Sequence, residues 1–109
     1  MAFDPETAER IRSALCRTRG IMERKMFGGI AFMLHGNMLV GVLGTDLMVR
    51  VGPEAYERAL ARPHARPMDF THRPMRGFVF VAPKGCATPA ALRSWLRPAL
   101  KFTSALPRK

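Results

Sequence analysis

The chain is short of the residues that covalent chemistry uses. Its two cysteines, Cys16 and Cys86, are too few for a disulfide framework and have no partners at metal-ligand spacing. That excludes a disulfide-stapled scaffold and makes a reducing cytoplasm the expected compartment. The three histidines, His35, His64 and His72, lie near no serine or cysteine in a recognisable nucleophile motif. A metal site would require His64, His72 and Cys86 to converge, and their spacing matches no zinc signature. Glu54 and Glu57, two of only eight acidic residues, read as solvated helix-surface groups. The expectation is a protein that is not an enzyme and takes no cofactor or metal.

Apolar length is missing too. No run reaches the about 18 consecutive apolar residues that a membrane span needs. Asp4, Glu6 and Glu9 occupy the N-terminus, where a secretory signal would place an apolar segment. No membrane association is therefore expected. Acid vanishes after Asp69: up to that point ten Lys/Arg face eight Asp/Glu, and beyond it eight more cations bring the net charge to +10. A C-terminal third of one sign fits a polyanionic partner. Arg outnumbers Lys fourteen to four, a bias that GC-rich coding also produces, so a merely solvated basic face is the other reading.

What remains is ordinary for a folded protein. With 109 residues, 48% of them hydrophobic and 24% charged, the chain is one domain, residues 1–109, able to bury a core. Asp4-Pro5-Glu6 predicts a helix start, with Asp as cap, Pro at the first position and an acid on the positive end of the dipole. Ala8, Ile11 and Leu15 then recur at helical spacing, so a helix is expected over roughly 5–18, with a Glu6–Arg10 pair outside. Residues 24–43, RKMFGGIAFMLHGNMLVGVL, form a nearly unbroken apolar run, too rich in glycine for a helix. Met22–Phe27 reads as an extended lead-in and Gly28-Gly29 as a bulge or bend. Ile30–Leu34, Met38–Leu43 and Leu47–Val51 read as three antiparallel strands, the first two joined at Gly36-Asn37. Gly52-Pro53-Glu54 opens a short helix to about Leu60. A strand near Met68–Phe70, a loop, and a strand over Gly77–Val81 follow. Thr88-Pro89 caps the last helix, with Leu92, Trp95, Leu96 and Ala99 on one side and Arg93, Arg97 and Lys101 beside them. Pro98 is expected to kink this helix rather than end it.

The predicted order is α-β-β-β-α-β-β-α, an α+β protein with an antiparallel sheet covered by helices on one side. Strand Met38–Leu43 is apolar at odd and even positions alike. Its second face therefore calls for a cover, and a homodimer or another protein partner is the expected one.

The run RKMFGGIAFMLHGNMLVGVL, followed by LMVRVGPEAYERAL at 47–60 and RPMDFTHRPMRGFVFV at 66–81, resembles the N-terminal domain of the TfoX/Sxy competence regulators across nearly the whole chain. Its most specific piece is the motif Arg24, Lys25, Met26, Phe27, Gly28, Gly29. The resemblance implies a two-layer α-β3-α-β2-α arrangement like the secretion-chaperone fold, and a bacterial regulatory role. Full-length members assist transcription of DNA-uptake genes with the cyclic-AMP receptor protein. This chain is expected to be a stand-alone N-terminal domain.

Two candidate sites remain besides a protein-binding surface. Arg73, Arg76, Arg93, Arg97 and Lys101 would suit the phosphates of nucleic acid, bound without sequence preference because no groove-reading motif is present. Cys86 stands beside Lys84 and just before the Thr88-Pro89 helix start, where both would favour a thiolate and hence a thiol-based sensor. The plainer reading of Cys86 is a passive thiol. Gly28-Gly29 beside Lys25 has the form of an anion-binding nest, although a bend in the strand accounts for it as well.

Overall fold

The computed structural model describes residues 3–26, 28–69 and 74–108. Their order is α1 (Pro5–Ala14), β1 (Ile21–Met26), β2 (Gly29–Leu34), β3 (Asn37–Leu43), β4 (Asp46–Arg50), α2 (Tyr56–Leu60), β5 (Ala65–Asp69), β6 (Pro74–Val81), a 3-10 turn (Pro83–Cys86) and α3 (Pro89–Ser104). Six strands form one antiparallel sheet in the order β1-β2-β3-β4-β6-β5. The α+β class and its helix-over-sheet layering are as the sequence predicts.

One more strand joins the meander than the pattern indicated. The lead-in is the edge strand β1, paired with β2 from Ile21↔Leu34 to Met26↔Gly29. Gly28, at φ 77°, therefore lies between the paired ends of β1 and β2 and not within a strand. Phe27 lies outside the described residues, as do Phe70, His72 and Arg73. The next turn is His35-Gly36, one position earlier than expected, since Leu34 pairs with Asn37. Both turn residues have positive φ, 51° and 85°, the primed geometry whose twist suits a hairpin. Gly44-Thr45 then joins Leu43 to Asp46.

Two cross-strand rows face the helices: Phe32–Val40–Val49–Val79, and Ile30–Val42–Leu47–Val81–Ala65. Against them pack Ala8, Ile11 and Leu15 of α1, Tyr56 and Ala59 of α2, and Leu92, Trp95, Leu96 and Ala99 of α3. Each large side chain taken out of water here contributes about 1.5–3 kcal/mol. The two-sided apolarity of β3 has a local cause. A bulge opposite Phe32/Met33 leaves Leu39 as an extra residue, so Leu39 and Val40 both enter the helix-side core. Met38 and Leu43 belong to a smaller cluster with Met48, Met68, Phe78 and Phe80.

Helix ends follow their caps. The Asp4 carboxylate accepts from the Glu6 N–H and, at 2.7 Å, from the Thr7 hydroxyl. Chiefly through that Thr7 bond, the carboxyl is held below its usual range. α1 stops at Ala14, short of the expected residue 18, with Leu15 as its C-cap. The expected Glu6–Arg10 pair does not form; Arg10 instead donates to the Cys86 carbonyl at 2.6 Å. Arg12 forms the ion pairs of α1, with Glu9 and, through two bonds of 2.5 and 2.7 Å, with Glu23 of β1. The Thr88 hydroxyl accepts from the Ala91 N–H at 3.0 Å, and α3 continues past Pro98 to Ser104 as the apolar stripe requires. No described helix is long and apolar enough to cross a membrane.

Candidate functional site

The outer surface of the helical layer carries three of the candidate cations. Arg93, Arg97 and Lys101 recur every four residues along α3 and are all exposed. The ion pairs among the described residues involve Arg12 and Arg66, so these three have no carboxylate partner there. Between α1 and α3 runs a groove formed by two adjoining clefts of ≈ 310 and ≈ 190 Å³, which share Ala14 and Arg93. Arg10, Arg93 and Arg97 form its walls, while Leu92, Leu96 and Leu100 line its base. On the other flank of α3 lies a cavity of ≈ 500 Å³ against the chain entering α2, lined by Val51, Arg58, Pro98, Lys101 and Phe102 among others.

Not every basic residue outside α3 is free for a ligand, and Arg66 and Arg76, expected in a loop, lie on β5 and β6. Arg62 stacks on the Trp95 ring with its guanidinium carbon 3.5 Å from the centroid and bonds to the Ser94 hydroxyl at 2.6 Å. Arg66 pairs with Asp46 at 2.6 Å and lies 4.9 Å over Phe80. Arg76 is exposed and lies 5.7 Å over the Tyr56 ring. Arg50 lies between Phe78 and Phe102 and donates to the Met38 carbonyl. Burial lowers the pKa of both Arg50 and Arg62 from the ordinary guanidinium value.

Cys86 is 2% exposed, with its Sγ 3.9 Å from the Ala82 carbonyl. Burial pushes the thiol up; Arg10 pulls weakly the other way and Asp46 adds to the rise. Such a thiol packs as a small apolar group. Cys16 is exposed and unbonded to any other cysteine. No three His, Cys, Asp or Glu side chains among the described residues are grouped to hold a metal ion.

The family motif builds the sheet edge. Arg24 and Lys25 are exposed on β1, Met26 is half-buried, Gly28 turns the chain, and Gly29 begins β2 with no room for a side chain against the Val42 carbonyl. On the sheet face away from the helices, the row Arg24–Ala31–Gly41–Met48–Phe80–Arg66 carries an arginine at each edge strand. Beside it runs Met22–Met33–Met38. Met22 is 69% exposed, the one large apolar side chain so placed among the described residues.

Sequence reasoning missed Arg10 and Ala14 as groove residues. Arg10 looked like the partner of Glu6, and no spacing rule announces that α1 lies beside α3. Neither a curated protein nor a solved structure matches the chain significantly. The profile of the TfoX N-terminal domain matches residues 13–103, which takes in the β1–β2 motif, the whole sheet and nearly all of α3. On this match the chain belongs to the TfoX N-terminal domain family.

Proposed function

We propose that the chain is a non-catalytic regulatory module that works by binding protein through its meander. The reading rests on the edge strand β1. An edge strand offers unpaired backbone groups to an incoming chain, and this one adds an exposed Met22 beside Met33 and Met38 on the same face. Methionine is pliant and polarisable, and it recurs on surfaces that accept protein partners. The regulatory half of the proposal comes from the likeness to TfoX/Sxy competence regulators, whose full-length members assist transcription of DNA-uptake genes.

A photo-crosslinking residue placed at the exposed position 24 tests this in the native host. The expected result is a discrete protein adduct that survives nuclease and fades with Met22→Lys. Sedimentation of the purified chain over a concentration range tells a second copy from a different protein. No adduct at position 24, together with a monomer at every concentration, would overturn the reading.

A further inference from the structure

We infer that the groove between α1 and α3 is a docking site for an acidic amphipathic helix of a partner protein. The inference rests on the reading of the chain as a protein-binding module, but it concerns a different surface from the meander.

The groove runs from Pro89 to Leu100 along α3, about 16 Å at 1.5 Å per residue. That is the length of roughly three helical turns. Its chemistry is layered. Leu92 and Leu96 are each only 3% exposed at the base, and Leu100 is half-buried at one end. On the α1 side Ser13 and Ala14 are small and exposed, so an incoming backbone can come close. Above this base stand Arg10, Arg93 and Arg97, and no carboxylate lines either cleft.

Arg10 is held in position before any partner arrives. Its Nη2 donates to the Cys86 carbonyl at 2.6 Å, leaving its other N–H groups for a ligand. Arginine in this state loses little side-chain freedom on binding, which raises affinity without a new contact. Arg93 and Arg97 have no acid partner among the described residues. A helix with apolar residues at i, i+3, i+4 and i+7 would pack on Ala14, Pro89 and Leu100 above the buried leucines, while aspartates and glutamates on its flanks met the arginines.

Charge decides among the occupants. A second copy presents α3, whose sequence PAALRSWLRPALKFTS holds three cations and no acid. It would set arginine against arginine. A nucleic-acid backbone would satisfy the arginines but leave the apolar lining that reaches the surface, Ala14, Pro89 and Leu100, without an apolar cover. An acidic amphipathic helix matches both layers.

The test uses the full chain and a fluorescent peptide of about 14 residues, with leucines at i, i+3, i+4 and i+7 and glutamates elsewhere. Controls are a peptide of the same composition with the spacing scrambled, and a short DNA duplex. Anisotropy should show the patterned peptide binding at least about tenfold more tightly than the scrambled one. Ala14→Trp, at an exposed position, should fill the groove and weaken binding by a similar factor, with the fold checked by circular dichroism. Arg93→Glu with Arg97→Glu should do the same.

Equal affinity for the two peptides would reduce the surface to charge alone and overturn the inference. So would binding untouched by Ala14→Trp, or a duplex that binds more tightly than the patterned peptide and displaces it. If the peptide fails while the position-24 adduct forms, the groove inference falls and the meander reading stands. If the peptide binds and no adduct forms, the reverse holds.

Discussion

The Ser94 carbonyl accepts a hydrogen bond from the Arg62 guanidinium at 3.2 Å, in place of the backbone donor that Pro98 lacks. A proline inside a helix leaves the carbonyl four residues earlier without its N–H. Here an arginine just past α2 fills the vacancy, bonds the Ser94 hydroxyl as well, and lies flat on Trp95. The proline and a distant cation form one unit.

That coupling has a measurable consequence. Arg62→Ala should lower stability by about 1–3 kcal/mol, since it strands a carbonyl and uncovers an aromatic ring. Arg62→Lys should restore little, because an ammonium lacks the planar fork. In a Pro98→Ala background residue 98 regains an N–H for Ser94, so the cost of Arg62→Ala should shrink. A double-mutant cycle by urea denaturation reads the difference. Additive effects would mean that the two residues act separately.

Gly52 is fixed by two constraints at once. Its φ is +88°, and a Cβ there would strike the Phe102 ring. Gly52→Ala should destabilise by about 1–3 kcal/mol. In a Phe102→Ala background the steric share should disappear and the backbone share persist. Thermal melts of the four proteins separate the shares.

Acid should weaken the fold through α1. The Glu23 carboxyl is held low by its bonds to Arg12, and the Asp4 carboxyl by its bond to Thr7. A carboxylate with a lowered folded pKa contributes stability that is present above its unfolded value and lost as the pH falls through the folded one. Stability should therefore fall as the pH passes below the ordinary carboxylate range. Glu23→Gln and Asp4→Asn should each flatten that decline in a pH series of denaturant midpoints, and a decline of unchanged steepness would count against these pairs.

The cysteines should label unequally. Cys16 is exposed and Cys86 buried, and burial keeps the Cys86 thiol protonated at neutral pH. Iodoacetamide under native conditions should modify Cys16 first and leave Cys86 until the protein is unfolded. Rapid native labelling of Cys86, read by peptide mass spectrometry, would restore the thiol-sensor reading.

Local chemistry explains why much of the fold was legible. Asp4-Pro5 and Thr88-Pro89 cap the helices they appear to cap, because a side-chain oxygen and a proline act within one turn of chain. The β1 strand was harder to see. Its burial runs half-buried, four exposed, half-buried, so the alternation that marks a strand is absent at this sheet edge. The turn at His35-Gly36 was hidden because Gly36-Asn37, one residue on, also has the composition of a primed hairpin turn. The bulge at Leu39 left no signal beyond apolarity at both parities.

The basic residues divide along the same line. Sequence alone determined how many there are, that no acid follows Asp69, and that Arg93, Arg97 and Lys101 share a helix face, since helical period fixes that. It also marked the TfoX N-terminal family, through the motif at 24–29 and the segments that follow it. Which cations are spent inside the fold was a tertiary decision. Arg62 is taken by Ser94 and Trp95, Arg66 by Asp46, and Arg10 is brought to the groove by Cys86. Those partners lie far along the chain, and only packing, through close contact and lost water, could select them.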